Sequence, residues 1–233
     1  LVVLKKRLNV AVMPIVLYSM ALSLLLMNSM RGWFVTGHDV LREYSVFHMT
    51  AAAGRWDIAA FRDPYNACLS LTVLPTYLLS LLNIDPDYIY KFVFQCIAAL
   101  PVISIFYLFQ RYATNVMAFL AAFTYISFPA FIVDMSMLNR KSIGYLFFGL
   151  LLYVLLTNFY IIKRQRTILL LLFGVGIIVS HYSTSYVALT LLAGGYVISM
   201  VLRLILGRRG RVGKIGSLFR IRKLRNRMVY RRP

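Results

Sequence analysis

Charged residues are scarce in this chain, and acidic residues are the scarcest. Asp and Glu number 7 among 233 residues, charged residues make up 14% of the chain, and hydrophobic residues make up 61%. Soluble domains are about half apolar and about a quarter charged, so this composition excludes a soluble globular protein and a disordered chain. The two cysteines are too few for a disulfide framework, and no CxxC or Cys/His spacing indicates a zinc site.

Motifs of soluble enzymes are also missing. The sequence contains no GxSxG, HExxH, Walker or GxGxxG pattern, so the usual hydrolase, metalloprotease and nucleotide-binding functions have no support. The 26 Lys and Arg residues give a net charge of +19. No nucleic-acid-binding pattern accompanies this charge, so we predict no nucleic-acid partner and interpret the charge against a lipid bilayer.

Six apolar runs are long enough to cross a bilayer core, which takes about 20 residues. They lie at about residues 8–30, 88–110, 114–132 and 142–162, with two more inside 167–206 joined by a polar turn at 180–185. A shorter run at 68–84 contains Pro75 and is predicted to be re-entrant or interfacial. We therefore predict an all-α, polytopic membrane helix bundle with about six transmembrane helices.

The basic clusters predict the orientation, because Lys and Arg concentrate on the cytoplasmic side. If six spans alternate, the clusters at 5–7, 111, 163–166 and from 203 onward share one side, and all 7 acidic residues lie on the other. Both chain ends are then cytoplasmic in a multi-pass cell-membrane protein, and segment 31–87 faces outward. The basic tail at 207–233 interleaves apolar and basic residues, which predicts an interfacial helix on anionic lipids.

The outer segment contains GHDVLREYSVFHMTAAAGRW, which has helical periodicity. The apolar stripe of this helix is Val40, Tyr44, Phe47 and Ala51, and it predicts a helix in the membrane interface. Asp39 and Glu43 are four residues apart and share one face. Such a pair can raise one carboxyl pKa, bind a divalent cation or position a hydroxyl nucleophile. An ordinary solvated face, with Asp39 as N-cap and Arg42 as its partner, explains the same residues.

Other polar residues at the outer side have competing explanations. Asp85, Pro86 and Asp87 are typical of a helix start. Asp134 follows the third span close to Arg140 and Lys141, at a depth where charges need partners or water. Both a functional role and a structural ion pair explain Asp134.

A further polar group falls in SHYSTSY, at the outer turn between the last two spans. His181, Tyr182 and Ser183 are candidate sugar or phosphate ligands, or a hydroxyl-rich turn that satisfies helix ends. The three histidines of the chain are scattered and do not define a metal site.

This arrangement resembles the amino-terminal module of the GT-C type multi-spanning glycosyltransferases, which include protein O-mannosyltransferases and oligosaccharyltransferase catalytic subunits. The matching features are one span from an inside start, a long outer segment with an early acid, an interfacial helix, a span ending at Gln110-Arg111, and an acid after FPAF. GHDVLREY and SHYSTSY are most similar to predicted membrane proteins of bacteria and archaea in this class. The likeness covers residues 8–206, although GT-C enzymes usually have more spans.

The resemblance implies transfer of a sugar from a polyprenyl-phosphate-linked donor to an acceptor on the outer face. Asp39 would act as the base or position the acceptor, with Glu43 as its neighbour, and Asp134 would be the second-loop acid. Arg140 and Lys141 would meet the carrier phosphate. Some members of the class use a divalent cation, so the cofactor stays open. The alternative is a noncatalytic membrane subunit or scaffold that binds other membrane subunits.

Overall fold

The computed structural model describes residues 9–157 and 162–208, and every regular element in these ranges is helical. The chain divides into two compact units, Leu1–Ser185 and Tyr186–Pro233. The described part of the second unit is the continuation of the last helix. The predicted interfacial tail falls almost wholly on 209–233, outside the described residues.

Nine helices follow one another in the described ranges. They are α1 (Met13–Ser29, after a 3-10 turn at Val10–Val12), α2 (His38–Ala53), α3 (Leu69–Leu82), α4 (Pro86–Gln110), α5 (Asn115–Ser127), α6 (Pro129–Met137), α7 (Asn139–Leu156), α8 (Lys163–Ser180) and α9 (Tyr182–Arg208). A second 3-10 turn, Pro64–Ala67, lies between α2 and α3. The all-helical prediction is confirmed for these residues.

Three helices in the described ranges are long and apolar enough to cross a membrane: Val10–Ser29, Pro86–Gln110 and Tyr182–Ile205. They correspond to the predicted first, second and sixth spans. Helices α7 and α8, at the fourth and fifth, are not among the three, and both begin with charged turns. The expected polar turn before the sixth span is shorter than predicted, because α8 ends at Ser180 and α9 begins at Tyr182.

The predicted third span is broken. Helix α5 ends at Ser127, and α5 and α6 are bent by 66° at the break, so the pair is either one broken span or a re-entrant segment. Phe128 has φ −69° and ψ 134°, an extended conformation. Because Pro129 follows directly, the helical conformation is disfavoured at Phe128. The predicted third span at 114–132 is therefore not one continuous helix, and whether the bent pair crosses the membrane stays a prediction.

Helix α3 matches the short run at 68–84. Its 14 residues span about 21 Å at 1.5 Å per residue, less than the roughly 30 Å of a hydrocarbon core. It ends at Asn83, whose φ of +49° is left-handed, a common way to terminate a helix. The length favours the prediction that this run is not a full crossing.

Two apolar cores hold the first unit together. One joins α1, α4, α5 and α6, and its fully buried members include Leu17, Ala21 and Phe106. The second core joins α2, α3, α4 and α7, and its buried side chains include Phe47 and Tyr90. The apolar stripe predicted on α2 thus packs against protein, which explains its periodicity without a membrane interface.

Candidate functional site

Two carboxylates of α2 and one guanidinium of α7 form a compact charge cluster. Asp39 and Glu43 lie one turn apart in α2, and Arg140 lies in the first turn of α7. Arg140 Nη2 is 3.4 Å from Asp39 Oδ2, and Arg140 Nε is 3.7 Å from Glu43 Oε1. The two carboxylates therefore share one face and one counter-charge. An ordinary solvated face does not explain them, because Glu43 is fully buried.

Glu43 connects α2 to the amino end of α7. Its Oε2 accepts a hydrogen bond of 3.0 Å from the backbone N–H of Asn139, the first residue of α7. A carboxylate is stabilised there by otherwise unpaired amides and by the helix dipole. Burial nevertheless raises the pKa of Glu43 to about 8, against the opposing effects of Arg140 and of the backbone amides of Asn139 and Arg140. Glu43 is thus a buried residue that joins α2 to α7 through a hydrogen bond.

Arg140 is itself only 5% exposed. Its guanidinium carbon lies 3.8 Å from the ring centroid of Tyr65, a residue of the turn Pro64–Ala67. Its Nε and Nη1 have no hydrogen-bond partner. A guanidinium stays charged in a protein, so burial makes the nearby carboxylates essential to it. The guanidinium of Arg140 is therefore directed at Asp39 and Glu43, and its predicted contact with the carrier phosphate stays a prediction.

Asp39 is the member of the cluster that solvent reaches. Its side chain is 38% exposed, whereas that of Arg140 is nearly buried. One carboxylate oxygen, Oδ2, faces Arg140. The contact with Arg140 therefore orients the Asp39 carboxylate, and its exposed part stays open to a second molecule. A general base or a group that positions an acceptor needs both properties.

Lys141 and Asp134 form a looser pair beside this cluster. Lys141 Nζ is 3.6 Å from Asp134 Oδ2, and the Asp134 side chain is about half exposed. Lys141 also borders a cavity of about 160 Å³, which we name the tyrosine pocket; its other walls are Tyr125, Phe128, Ala130, Phe131, Met135 and Tyr145. The pocket forms where α5 breaks into α6. The pairing expected at the outer boundary thus joins Asp134 to Lys141, while Arg140 faces α2.

The lining of the tyrosine pocket is mostly apolar. The hydroxyl of Tyr125 is buried without a hydrogen-bond partner, and Lys141 Nζ lies 5.7 Å from the ring centroid of Tyr145. Apolar cavities of roughly 150 Å³ accept a benzene-sized molecule. The tyrosine pocket is therefore about the size of a small apolar group.

The SHYSTSY residues divide into buried and exposed members. His181 is buried, with Nδ1 2.7 Å from Thr184 Oγ1. Burial, and then the cations Arg140 and Lys141, lower the pKa of His181 to about 4. His181 is therefore neutral near pH 7 and offers a phosphate no positive charge. Tyr182 and Ser183 are exposed.

Tyr65 contacts the charge cluster through the guanidinium of Arg140. Its pKa is raised chiefly by burial; Arg140 lowers it, and Asp39, Glu43 and Tyr182 add smaller increases. Of the predicted site residues, Asp39, Glu43 and Arg140 are brought together in one cluster, and Asp134 and Lys141 form a second pair.

The remaining outer acids have structural partners. Asp85 accepts a hydrogen bond from the backbone N–H of Asp87 at 2.8 Å, directly at the start of α4, as the sequence predicts. Asp63 accepts one from Arg42 Nε at 2.6 Å. The partner of Arg42 is therefore Asp63 and not Asp39.

Among residues 9–157 and 162–208, no group of three His, Cys, Asp or Glu side chains could hold a metal ion. A divalent cation stays a prediction of the resemblance alone. Sequence reasoning missed Tyr65 and Asn139 as site residues. Asn139 could have been predicted because it is the residue next to Arg140. No sequence pattern predicts that the ring of Tyr65 lies against the Arg140 guanidinium.

Comparisons with protein-family models, with curated proteins and with solved structures found no match to this chain.

Proposed function

We propose that this protein is a membrane glycosyltransferase that moves a sugar from a polyprenyl-phosphate-linked donor to an acceptor at the outer face. The observation that supports the proposal is the different burial of two neighbouring carboxylates. Glu43 is buried and ties two helices together, whereas Asp39 is exposed and oriented by Arg140. Glu43 has no solvent-accessible surface for a substrate, whereas Asp39 pairs with Arg140 and keeps an accessible carboxylate.

In this proposal Asp39 accepts the proton of the acceptor hydroxyl. The hydroxyl oxygen forms a bond to the anomeric carbon of the sugar, and the bond from that carbon to the phosphate oxygen breaks, so its electron pair leaves with the lipid phosphate. Asp39 lowers the barrier by removing the proton as the new bond forms. Arg140 holds the Asp39 carboxylate in place, and the exposed Tyr182 is a candidate contact of the acceptor.

Lys141 and the tyrosine pocket are the proposed contacts of the donor. The ammonium group of Lys141 offsets the charge of the leaving phosphate, and the pocket takes the adjoining hydrocarbon. Arg140 and Lys141 are consecutive residues, so the donor and acceptor groups meet at the start of α7. The long ion pair with the half-exposed Asp134 leaves Lys141 able to exchange partners.

The same proposal includes the topology. Six spans, with both chain ends in the cytoplasm, place every acidic residue outside and every large basic cluster inside. A lipid-linked donor stays in the bilayer, which fits an enzyme whose exposed carboxylate, Asp39, lies in the outer segment at the start of α2. No cytosolic nucleotide site is then needed.

The test is release of polyprenyl phosphate from a panel of lipid-linked sugars by purified protein in lipid vesicles. We expect turnover that Asp39→Asn abolishes while the protein stays folded, with a loss of stability of only about 1 kcal/mol. Asp85→Asn is the matched control, because that carboxylate also lies in the outer segment but caps a helix. Lys141→Met should raise KM for the donor more than it lowers kcat. Absence of turnover across the panel, with a folded protein, favours the noncatalytic-subunit alternative.

A further inference from the structure

The loop between α1 and α2 displays two large aromatic side chains. Trp33 is 91% exposed and Phe34 is 76% exposed. Among the large apolar side chains that the structure describes, Trp33 has the highest exposed fraction. Burying side chains of this size typically contributes about 1.5–3 kcal/mol or more, so their display requires an explanation.

The display is enforced by the backbone of the loop. Lys91, which is nearly buried in α4, donates from Nζ to the carbonyl oxygens of Gly32 and Trp33, the latter at 2.9 Å. Ser29, at the end of α1, donates from Oγ to the carbonyl oxygen of Lys91 at 2.8 Å. The polar backbone of the loop therefore faces the protein, and the two rings face away from it.

The position of the loop relative to α1 identifies the surface that it meets. Val10–Ser29 has 20 residues and is a candidate span, and 20 helical residues rise about 30 Å, the thickness of a hydrocarbon core. Trp33 lies four residues beyond that end, so a crossing by this helix would bring Trp33 to the level of the lipid headgroups. Tryptophan is enriched at this level because its ring is apolar and its N–H is polar. The exposed Arg31 beside it suits the phosphates of that layer.

We propose that the loop at 31–36 is a membrane anchor, with Trp33 and Phe34 inserted into the headgroup region of the outer leaflet and Lys91 holding the loop in that orientation. Helix α2 begins four residues after Phe34, and Asp39 is its second residue. Five residues reach at most about 18 Å. The anchor therefore keeps the exposed Asp39 carboxylate within reach of headgroups. This inference does not depend on the chemistry proposed for Asp39.

The test uses the two tryptophans of the chain as matched probes. Trp56→Phe leaves Trp33 as the only reporter, and Trp33→Phe leaves Trp56, whose Nε1 donates to the carbonyl oxygen of Asn66 at 2.9 Å within its own loop. Each protein is reconstituted into phosphatidylcholine vesicles whose acyl chains carry bromine either near the headgroup or near the chain end. Acrylamide in the buffer reports exposure to water.

We expect Trp33 emission to be quenched at least about twofold more by the shallow bromines than by the deep ones, and more than Trp56 emission is. Quenching of Trp33 by acrylamide but by neither lipid would overturn the anchor. Protection of Trp33 from all three quenchers would also overturn it, in favour of a protein contact. Fluorine NMR of fluorotryptophan in the unsubstituted chain, with a paramagnetic headgroup lipid, gives the same decision if Trp56→Phe does not fold.

Discussion

Replacing Asp39 and Glu43 together by their amides should destabilise the protein far more than the two single changes predict. Arg140 keeps its charge and stays 5% exposed, so it needs one carboxylate nearby. In Asp39→Asn, the buried Glu43 releases its proton and supplies that charge. In Glu43→Gln, Asp39 supplies it. Each single change should therefore cost about 1 kcal/mol.

The double substitution leaves the buried guanidinium with no carboxylate within ion-pair distance. At the observed Nη2–Oδ2 distance of 3.4 Å, two unit charges attract by about 5 kcal/mol at an effective dielectric constant of about 20. Breaking a buried pair typically costs about 3–5 kcal/mol after desolvation is included. We expect a cost in that range for the double variant, well above the sum of the single costs.

Denaturant unfolding in detergent micelles, followed by circular dichroism, gives the four free energies of this double-mutant cycle. Asp134→Asn is the control: its ion pair with Lys141 is long and half exposed, so its loss should cost less than about 1 kcal/mol. Strict additivity of the Asp39 and Glu43 costs would refute the shared counter-charge.

Three further predictions concern pH, packing and topology. The pKa of Glu43 rises from 4.5 to about 8 on folding, so between these pH values the folded state retains a proton that the unfolded chain releases. The free energy of unfolding should therefore fall as pH rises through this range, by up to about 1.4 kcal/mol per pH unit. In pH-dependent unfolding measurements, Glu43→Gln should remove that slope. A Cβ on Gly176 would lie 2.7 Å from the Phe147 ring, whereas one on Gly174 would meet nothing within 4 Å; thermal unfolding should show a loss of about 1–3 kcal/mol for Gly176→Ala and none for Gly174→Ala. Asn83→Cys, in a chain lacking the native cysteines, should react with an impermeant maleimide from outside, and labelling only from the cytoplasmic side would contradict the topology.

The sequence predictions that the structure confirms rest on local patterns of neighbouring residues. The features that the sequence did not predict depend on contacts between residues far apart in the chain. The four-residue spacing of Asp39 and Glu43 specifies a shared helix face, but their common partner Arg140 lies about 100 residues away. Which carboxylate is buried depends on how α2 docks on α7, and a helical pattern alone does not contain that information. The break at Phe128 was readable, since Pro129 follows it. The apolar stripe of α2 was identified correctly, although periodicity does not distinguish a protein partner from a lipid one.

A buried charge pair contributes little to stability, and this allows a separate test of its purpose. Replacing a buried pair by apolar side chains is often neutral or stabilising, by about 1–4 kcal/mol. The double variant Glu43→Leu/Arg140→Met should therefore unfold at the same denaturant concentration as the unsubstituted protein, or a higher one. If Arg140 orients Asp39, the same variant should lose release of polyprenyl phosphate despite its intact Asp39. A stable variant with full turnover would mean that the pair only packs α2 against α7, and Arg140 would then have no positioning role.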